Sequence, residues 1–409
     1  MSEEKKPTRI PESLASAQFN PQPETLYMGQ SRKRITLGIP NDFSLEEKRT
    51  VLTNQAVRTL SNHGYNILVE SGTGKGASIS DLDFTEAGAE IVHSKERVFS
   101  ADIILKIAAL KEDELKFLRP DQVLISPLHI PKLSAKFLDT LKQKRVIALA
   151  MDYIKDRNGF FPIVRMMSEM AGIGAIHIAS ELLSTANNGK GTLLGGITGV
   201  EPSKVVIIGA GVVAEYATKA ALGLGAEVRI FDNKIYKLKR LQTNLGIRVY
   251  TSTINAPSFQ KEILDADVVI GAMHSKSGRS IVVVSEEMVS EMKPGSVIVD
   301  VSIDQGGCFA TSELRSIQNP SFVKHDVIHY CVPNISSIVS TTATKAMSNI
   351  LTPILLEAAE SGGMEQLIAQ NITIRNGVYM YKGCLTNGYL GKRFKLKSTD
   401  INLFISSNY

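Results

Sequence analysis

The hydrophobic residues of this chain fall into short apolar runs, and longer stretches with helical spacing lie between those runs. Short apolar runs are typical of strands buried on both faces of a parallel sheet, and their alternation with helices predicts an α/β fold. Helical spacing follows the first strand, from about Leu45 to Asn62. In this part of the chain the predicted strands are Ile35–Ile39, Asn66–Glu70, Ile103–Ile107, Val123–Ser126 and Val146–Ala150.

A second set of apolar runs begins after a predicted helix from about Ser168 to Thr185. This helix is rich in alanine and glycine, which let a backbone pack closely on another element, and a glycine-rich loop follows at 191–199. The segment from 341 onward begins with helical spacing and is expected to return to the first block. The strands predicted in the second block are Val205–Ile208, Val228–Phe231, Val268–Ile270, Val297–Val301 and Ile328–Val332.

The two blocks predict two α/β domains. We expect a polar N-terminal arm at 1–33, then a discontinuous substrate domain made of 34–163 and 341–409, and a dinucleotide-binding domain at 164–340. A length of 409 residues agrees with this division, because a single domain usually has ~100–200 residues.

The composition narrows the classes of function. The 46 lysine and arginine residues exceed the 41 aspartate and glutamate residues by five, an excess too small to indicate nucleic-acid binding. No apolar run approaches the ~20 residues of a membrane span, and the N-terminus lacks the apolar segment of a signal peptide. The three cysteines form no CxxC pair, which favours a reducing compartment. We therefore expect a cytoplasmic protein.

A glycine-rich turn in the second block predicts a dinucleotide site. Gly209, Gly211 and Ala214 form a GxGxxA pattern that directly follows an apolar strand and opens a small-residue helix. The glycines let a pyrophosphate approach the backbone, and the helix N-terminus offers it free N–H groups. Asp232 lies 21 residues after Gly211, where a carboxylate can accept both ribose hydroxyls and repel a 2′-phosphate. The pattern predicts NAD rather than NADP; the alternative is a strand–turn–helix without a ligand.

Four residues could carry chemistry beside a dinucleotide. Arg49 could hold a carboxylate bidentately, although spacing alone favours a solvated surface charge. Lys106 lies within an apolar run, where it either lines a cleft or occupies a frayed strand end. His129 ends another apolar run, as a site residue or as a core histidine. Asp304 precedes two glycines, which indicates either a backbone close to a ligand or a plain turn.

Other patterns predict structure rather than a site. Gly72–Gly76 follows a strand, but no clear small-residue helix comes after it, so we interpret it as a glycine turn. His325 and His329 are four residues apart, and on a strand this spacing is ~13 Å, too far for one metal ion. No metal site is predicted.

At this point several stretches of sequence match one family. These stretches are Gly38–Pro40 with Glu47–Arg49, Leu105–Lys106, Pro127–His129, Met167–Gly172, Leu194–Val200, Val299–Phe309 and His329–Asn334. By them the chain resembles the alanine dehydrogenase and nicotinamide-nucleotide transhydrogenase family over about residues 35–390.

The resemblance implies two Rossmann-like domains around a cleft, usually in a hexamer. It implies NAD-dependent, reversible oxidative deamination of L-alanine to pyruvate and ammonia. By the same resemblance, Arg49 holds the substrate carboxylate and His129 moves the proton as water attacks the imine. Asp304 helps to orient and stabilise the carbinolamine and imine stages. The NAD site is implied to comprise Ser168, the Gly209 loop, Asp232, Lys237 near the adenosine and Asn334 near the nicotinamide.

The chain departs from the family pattern at three places. Ala108 stands where the family has a second lysine that contacts substrate. Lys106 lies ~6.6 Å earlier on the same face of a strand and is the candidate substrate-binding residue in its place. Residues 335–341 and 273–277 also differ from the usual loops. Two alternatives therefore remain: a related dehydrogenase for another amino or imino acid, and an NAD-binding relative without turnover.

Overall fold

The computed structural model describes residues 34–130, 133–255, 257–275 and 278–406. The polar arm predicted at 1–33 lies outside these residues. From Arg34 onward the chain forms one compact unit that contains two mainly parallel sheets, with helices packed on both faces of each. The α/β prediction is confirmed as two Rossmann-like, doubly wound halves.

The first sheet has eight strands in the order β15-β14-β6-β5-β4-β1-β2-β3. Strands β1 to β6 are parallel, whereas β14 is antiparallel to β6 and β15 to β14. Its strands are β1 Thr36–Ile39, β2 Asn66–Glu70, β3 Ala89–Val92, β4 Ile103–Leu105, β5 Val123–Ser126, β6 Ile147–Ala150, β14 Val378–Tyr381 and β15 Cys384–Leu385.

The second sheet has seven strands in the order β12-β13-β11-β10-β7-β8-β9. All neighbours are parallel except β12, which is antiparallel to β13. Its strands are β7 Lys204–Ile208, β8 Glu227–Phe231, β9 Tyr250–Ser252, β10 Val268–Gly271, β11 Val297–Asp300, β12 Ser321–Lys324 and β13 Val327–Tyr330.

Helices connect the strands and cover both sheets. The α-helices of the described residues are α1 Asn54–Asn62, α2 Asp81–Glu86, α3 Lys95–Val98, α4 Ala135–Gln143, α5 Pro162–Leu183, α6 Val212–Gly223, α7 Ile235–Leu245, α8 Ser258–Leu264, α9 Glu286–Ser290, α10 Ser340–Glu360, α11 Met364–Gln370, α12 Ile372–Arg375, α13 Gly388–Phe394 and α14 Ile401–Ser406. Helix α5 leads from the first sheet to the second, and α10 leads back. The exact domain boundaries stay a prediction.

Apolar cores lie on both faces of each sheet because side chains alternate along a strand. On β4, Ile103 and Leu105 pack into one core and Ile104 into the other. On β7, Val205 and Val206 divide in the same way. All five side chains are buried, and each such burial contributes roughly 1.5–3 kcal/mol.

The small-residue helix α5 packs closely on α6, as its composition predicts. A Cβ atom placed on Gly172 would lie 2.4 Å from the carbonyl oxygen of Val213. Glycine is therefore required at this helix–helix crossing, which fixes the glycine-rich turn before α6 against the long connecting helix.

The helix predicted from about Leu45 is wrong over its first half. Residues 45–53 are irregular, and α1 begins only at Asn54, after Thr53 accepts a hydrogen bond from the N–H of Ala56. Arg49, predicted on that helix, therefore lies in the loop that follows β1. Similarly, β4 ends at Leu105, so Lys106 follows the strand rather than lying inside it.

Candidate active site

The guanidinium of Arg49 lies where loops from the two sheets meet. Its Nε donates to Glu47 Oε1 over 2.8 Å and its Nη2 donates to Glu47 Oε2 over 2.6 Å, a bidentate pair. Its Nη1 donates to the hydroxyl of Ser336 over 2.9 Å. Arg49 and Glu47 are buried, so this arginine is an ordered cation at the sheet edge and not the solvated surface charge that spacing alone favours.

Asn334 connects the Arg49 loop to the second sheet. Its side-chain Nδ2 donates to Glu47 Oε2 over 3.2 Å, and its backbone N–H donates to Asp304 Oδ1, also over 3.2 Å. Its backbone is left-handed, with φ of 59°, a conformation that asparagine adopts more readily than most residues. A single cluster of hydrogen bonds therefore joins Arg49, Glu47, Asn334 and Asp304.

Asp304 lies in a 3₁₀-helix, Val301–Gln305, directly after β11. The buried carboxylate of Asp300 shapes this turn by accepting hydrogen bonds from the N–H of Ser302 and of Cys308. Asp300 is thus structural, as its place within the strand suggests. The protein packed around Asp304 raises the pKa of its carboxyl group, while the N–H of Asn334 and the charge of Arg49 oppose that rise.

Hydroxyl groups explain why the Arg49 loop is irregular. The N–H of Lys48 donates to Ser337, that of Thr50 to Thr344 and that of Thr53 to Ser348, at 3.0–3.2 Å. Ser337 lies just before α10, and Thr344 and Ser348 lie on it. Because side-chain hydroxyls accept these backbone N–H groups, the groups do not need the hydrogen bonds that a helix would provide.

Lys106 is fully buried, and two carboxylates hold it. Its ammonium group pairs with Asp42 and donates to Glu114 Oε1 over 3.1 Å. The other oxygen of Asp42 accepts the backbone N–H of Ala108 over 3.1 Å. Although burial opposes it, the charges of Lys106 and Lys95 lower the pKa of Glu114. The ammonium of Lys106 thus has two anionic partners within the protein; its substrate role stays a prediction.

Replacing Lys106 with methionine is expected to destabilise the protein by ~3–5 kcal/mol, because buried Asp42 loses its cation and buried Glu114 keeps only Lys95. The control is Lys95→Met. Lys95 also contacts Glu114, over 2.8 Å, but its side chain is about one-third exposed, so its loss should cost less than ~1 kcal/mol. Urea unfolding of both variants measures the difference; equal free energies of unfolding would contradict a buried ion pair.

His129 lies in the exposed loop after β5, at the same edge of the sheet as Arg49 and Lys106. The hydrogen bonds that join Arg49 to Asp304 run through Glu47 and Asn334. The preceding residue, Leu128, donates its N–H to Asp152 Oδ1 over 3.0 Å, and burial raises the pKa of Asp152 to about 6. Asp152 therefore fixes the backbone beside His129.

The glycine turn before α6 has the shape that a dinucleotide requires. Gly209 has φ of 114°, and a Cβ atom there would lie 2.4 Å from the carbonyl oxygen of Ala272. A Cβ atom on Gly211 would meet nothing within 4 Å, so space remains beside the backbone. Ala214 is fully buried where α6 packs on the sheet. The turn and the N-terminus of α6 therefore fit a pyrophosphate.

Asp232 lies at the end of β8, beside this turn. Its carboxylate accepts the N–H of Ala210 over 2.9 Å and that of Lys234 over 2.8 Å, and the ammonium of Lys237 lies 3.9 Å away. Two oxygens with four lone-pair positions keep capacity for ribose hydroxyls. Ser168 lies on α5, where its hydroxyl donates to the carbonyl of Val164.

The remaining sequence patterns have structural contacts in the part of the chain that the structure describes. Gly72–Gly76 forms a turn that leads into a short 3₁₀-helix. His325 bonds to Glu286, whereas buried His329 bonds to Thr311. Within the described ranges no group of three histidine, cysteine or acidic residues could hold a metal ion, and no helix there could span a membrane.

Sequence reasoning missed several residues that surround the candidates. Glu47 belongs to the Glu47–Arg49 stretch that matches the family, but the sequence did not indicate that its side chain pairs with Arg49. Ser336 lies in a loop that departs from the family pattern, and Asp42 and Glu114 carry no local signal. A buried lysine does require a carboxylate partner, but the sequence alone does not say which one.

Fold and site together define a two-domain α/β protein in which a dinucleotide-binding turn and an arginine-bearing loop lie at adjoining carboxyl edges. Family models for the alanine dehydrogenase/PNT N-terminal and C-terminal domains match residues 38–171 and 175–388. The chain belongs to the alanine dehydrogenase/PNT family. Membership makes it an oxidoreductase that uses a nicotinamide cofactor.

Named relatives and solved structures agree with this assignment. The chain is 35% identical to alanine dehydrogenase 2 of Staphylococcus aureus (strain USA300), over 89% of this chain and 97% of that one. It is 34% identical to alanine dehydrogenase of Mycolicibacterium smegmatis, over 91% and 100%. A solved L-alanine dehydrogenase superposes with a TM-score of 0.82 at 32% identity, covering 88% and 99%. A transhydrogenase from Sinorhizobium meliloti, at 21% identity and a TM-score of 0.72, shares the fold.

Proposed function

We propose that the protein catalyses the NAD-dependent oxidative deamination of L-alanine. L-Alanine, NAD⁺ and water give pyruvate, ammonium, NADH and a proton, and the reaction is reversible. The observation that carries this proposal is the cluster in which Arg49, paired with Glu47, is linked through Asn334 to Asp304 of the second half. Family membership supports the same reaction.

In this proposal the cation and the carboxylate of the cluster have separate roles. Arg49 binds the substrate carboxylate, because a guanidinium is the side chain best matched to that group. Asp304 orients the substrate amine and stabilises the positive charge that develops as the amine becomes an imine. Its carboxylate is held beside the Asn334 N–H, so it does not have to reorganise during the reaction.

His129 is proposed to transfer protons. In the direction of deamination its imidazole takes a proton from water as that water attacks the imine carbon, which gives a carbinolamine. The same group then assists the departure of ammonia. Histidine is the side chain that most often serves as such an acid–base group. The bond from the N–H of Leu128 to Asp152 supports the loop that carries it.

NAD is the proposed cofactor, and when bound it accepts the hydride from the substrate Cα. The Gly209–Gly211 turn and the N-terminus of α6 would hold its pyrophosphate. Asp232 would accept the ribose hydroxyls, and Lys237 would lie near the adenosine. Ser168 and Asn334 are proposed to contact the cofactor as well, with Asn334 towards the nicotinamide.

Replacing Asp232 with alanine is expected to lower the preference for NAD over NADP at least tenfold. This corresponds to a change of ~1.4 kcal/mol in the difference between the two binding free energies. The carboxylate that repels a 2′-phosphate is lost, and Lys237, now 3.9 Å from it, becomes available to attract one. Fluorescence titrations with NADH and NADPH give the ratio of the two dissociation constants. An unchanged ratio would show that another residue selects the cofactor.

The function is tested by following NADH formation with L-alanine and NAD at alkaline pH. Turnover supports the proposal. A second candidate is a dehydrogenase for another amino acid, which is favoured by Ala108 and by the engagement of Lys106 with Asp42 and Glu114. Turnover with another amino acid and none with alanine would favour that candidate. Bound NAD without turnover on any amino acid would indicate a non-catalytic relative.

The setting of the enzyme is part of the proposal. We propose that it acts in the cytoplasm as a homo-oligomer, with a hexamer expected from the resemblance. Light scattering of the purified protein measures the subunit number.

A further inference from the structure

The Arg49 guanidinium is held mainly along one of its two carboxylate-binding edges. A guanidinium has five N–H donors and can meet a carboxylate through its Nε/Nη2 edge or through its Nη1/Nη2 edge. Glu47 occupies the first edge with both of its oxygens. Glu47 also accepts the backbone N–H of Arg49 over 3.1 Å, which fixes the two residues as a unit.

The second edge keeps capacity for a ligand. One Nη2 hydrogen has no partner among the residues that the structure describes. Nη1 donates to Ser336 over 2.9 Å and to the thioether of Met167 over 3.3 Å. A thioether is a weak acceptor, so a carboxylate oxygen can replace it. A carboxylate that takes the place of the thioether would bind Nη1 and the remaining Nη2 hydrogen without displacing Glu47.

We propose that Glu47 is a positioning residue that holds one edge of the Arg49 guanidinium and presents the other edge to the substrate carboxylate. Its Oε2 also accepts from Asn334, so the same carboxylate aligns the arginine with the loop of the second sheet. This inference rests on the proposed function, because it concerns how Arg49 binds the substrate.

The departure at Ala108 makes this positioning more important. The family's second substrate lysine is absent, and the ammonium of Lys106 already pairs with Asp42 and Glu114. Arg49 must then bind the substrate carboxylate without that second cation. A guanidinium that is free to rotate loses conformational entropy when it binds substrate, which weakens binding. Glu47 holds the guanidinium in place before substrate binds, so this entropy cost is smaller.

Replacing Glu47 with glutamine tests the proposal. The carboxamide keeps the shape but replaces one acceptor with a donor, which faces either Nη2 and Asn334 or Nε and the backbone N–H of Arg49. The KM for the amino-acid substrate and the dissociation constant of pyruvate from the NADH-loaded protein should rise ~10–100-fold, the range for hydrogen bonds to charged groups. We expect kcat and NADH affinity to change by less than about threefold. A merely structural role would not produce this split between KM and kcat.

Two further variants complete the test. Glu46→Gln makes the same change one residue earlier, at an exposed carboxylate that accepts the N–H of Ile317, and should leave KM unchanged. Glu47→Asp keeps the charge but shortens the reach, so its KM should lie between those of the parent and E47Q. It serves also if E47Q does not fold.

The outcomes separate this inference from the proposed function. If the parent turns over alanine and the KM values of E47Q and E47D are equal to or lower than its own, the role of Glu47 is overturned while the proposed function stands. A parent without turnover would overturn the proposed function, and the pyruvate titration would then decide the role of Glu47. Unweakened pyruvate binding in the variants, or none in the parent, would overturn that role.

Discussion

Replacing His129 with alanine is expected to lower kcat for alanine oxidation on the order of 10²–10⁴-fold, the usual contribution of a positioned acid–base group. Alanine can neither take the proton of the attacking water nor return it to the leaving amine. NADH affinity should stay within about twofold, because His129 lies at the first sheet and the glycine turn at the second. Steady-state kinetics and a fluorescence titration measure the two quantities.

The matched control is His63→Ala. His63 is also an exposed histidine of the first half, but it lies at the end of α1, where its ring bonds to the carbonyl of Thr59 over 2.7 Å. The kcat of the His63→Ala variant should equal that of the parent. Unchanged turnover in His129→Ala would show that another group carries the proton.

Replacing Asp304 with asparagine is expected to lower kcat on the order of 10²–10³-fold, as when a preorganised electrostatic partner of the reacting group is lost. Asparagine keeps the size and can still accept the N–H of Asn334, so the turn should persist. The negative charge that stabilises the developing imine is absent. Initial rates with saturating alanine and NAD give kcat for both proteins.

Asp326→Asn provides the comparison for this change. Asp326 is exposed in the turn before β13 and is left-handed, with φ of 58°, where asparagine fits well. Its turnover should match that of the parent. If Asp304→Asn also kept full turnover, the negative charge at position 304 would have no part in the chemistry.

Both sheets could be predicted from the sequence wherever strands are buried on both faces. Each predicted strand overlaps an observed one, because a short apolar run such as that of β7 is typical of a strand buried on both faces. The missed strands lie at or next to sheet edges: β3, β9, β12, β14 and β15. The edge strands β3, β9, β12 and β15 are short and partly exposed, so their sequences carry no continuous apolar run. Strand β14 is different, because Val378–Tyr381 is a buried apolar run, and it was missed in a segment where only helical spacing was recognised.

The candidate site was only partly predictable, because its residues are joined through contacts distant in sequence. The GxGxxA turn is local, and its fit to a dinucleotide could be read from spacing. The distant partners could not, since Ser336, which bonds to Arg49, and Asn334, which bonds to Glu47, lie almost 300 residues away in sequence. The helix predicted across Arg49 fails for the same reason: hydroxyls of distant residues satisfy its backbone.

The central claim is that one site takes a hydride from the Cα of an amino acid whose carboxylate Arg49 holds. Incubating the protein with NAD⁺ and L-alanine deuterated at Cα, followed by mass spectrometry of the cofactor, tests this directly. The account predicts reduced cofactor that carries one deuterium, together with pyruvate and ammonium. Reduced cofactor without deuterium, or no reduction while NAD is bound, would contradict it.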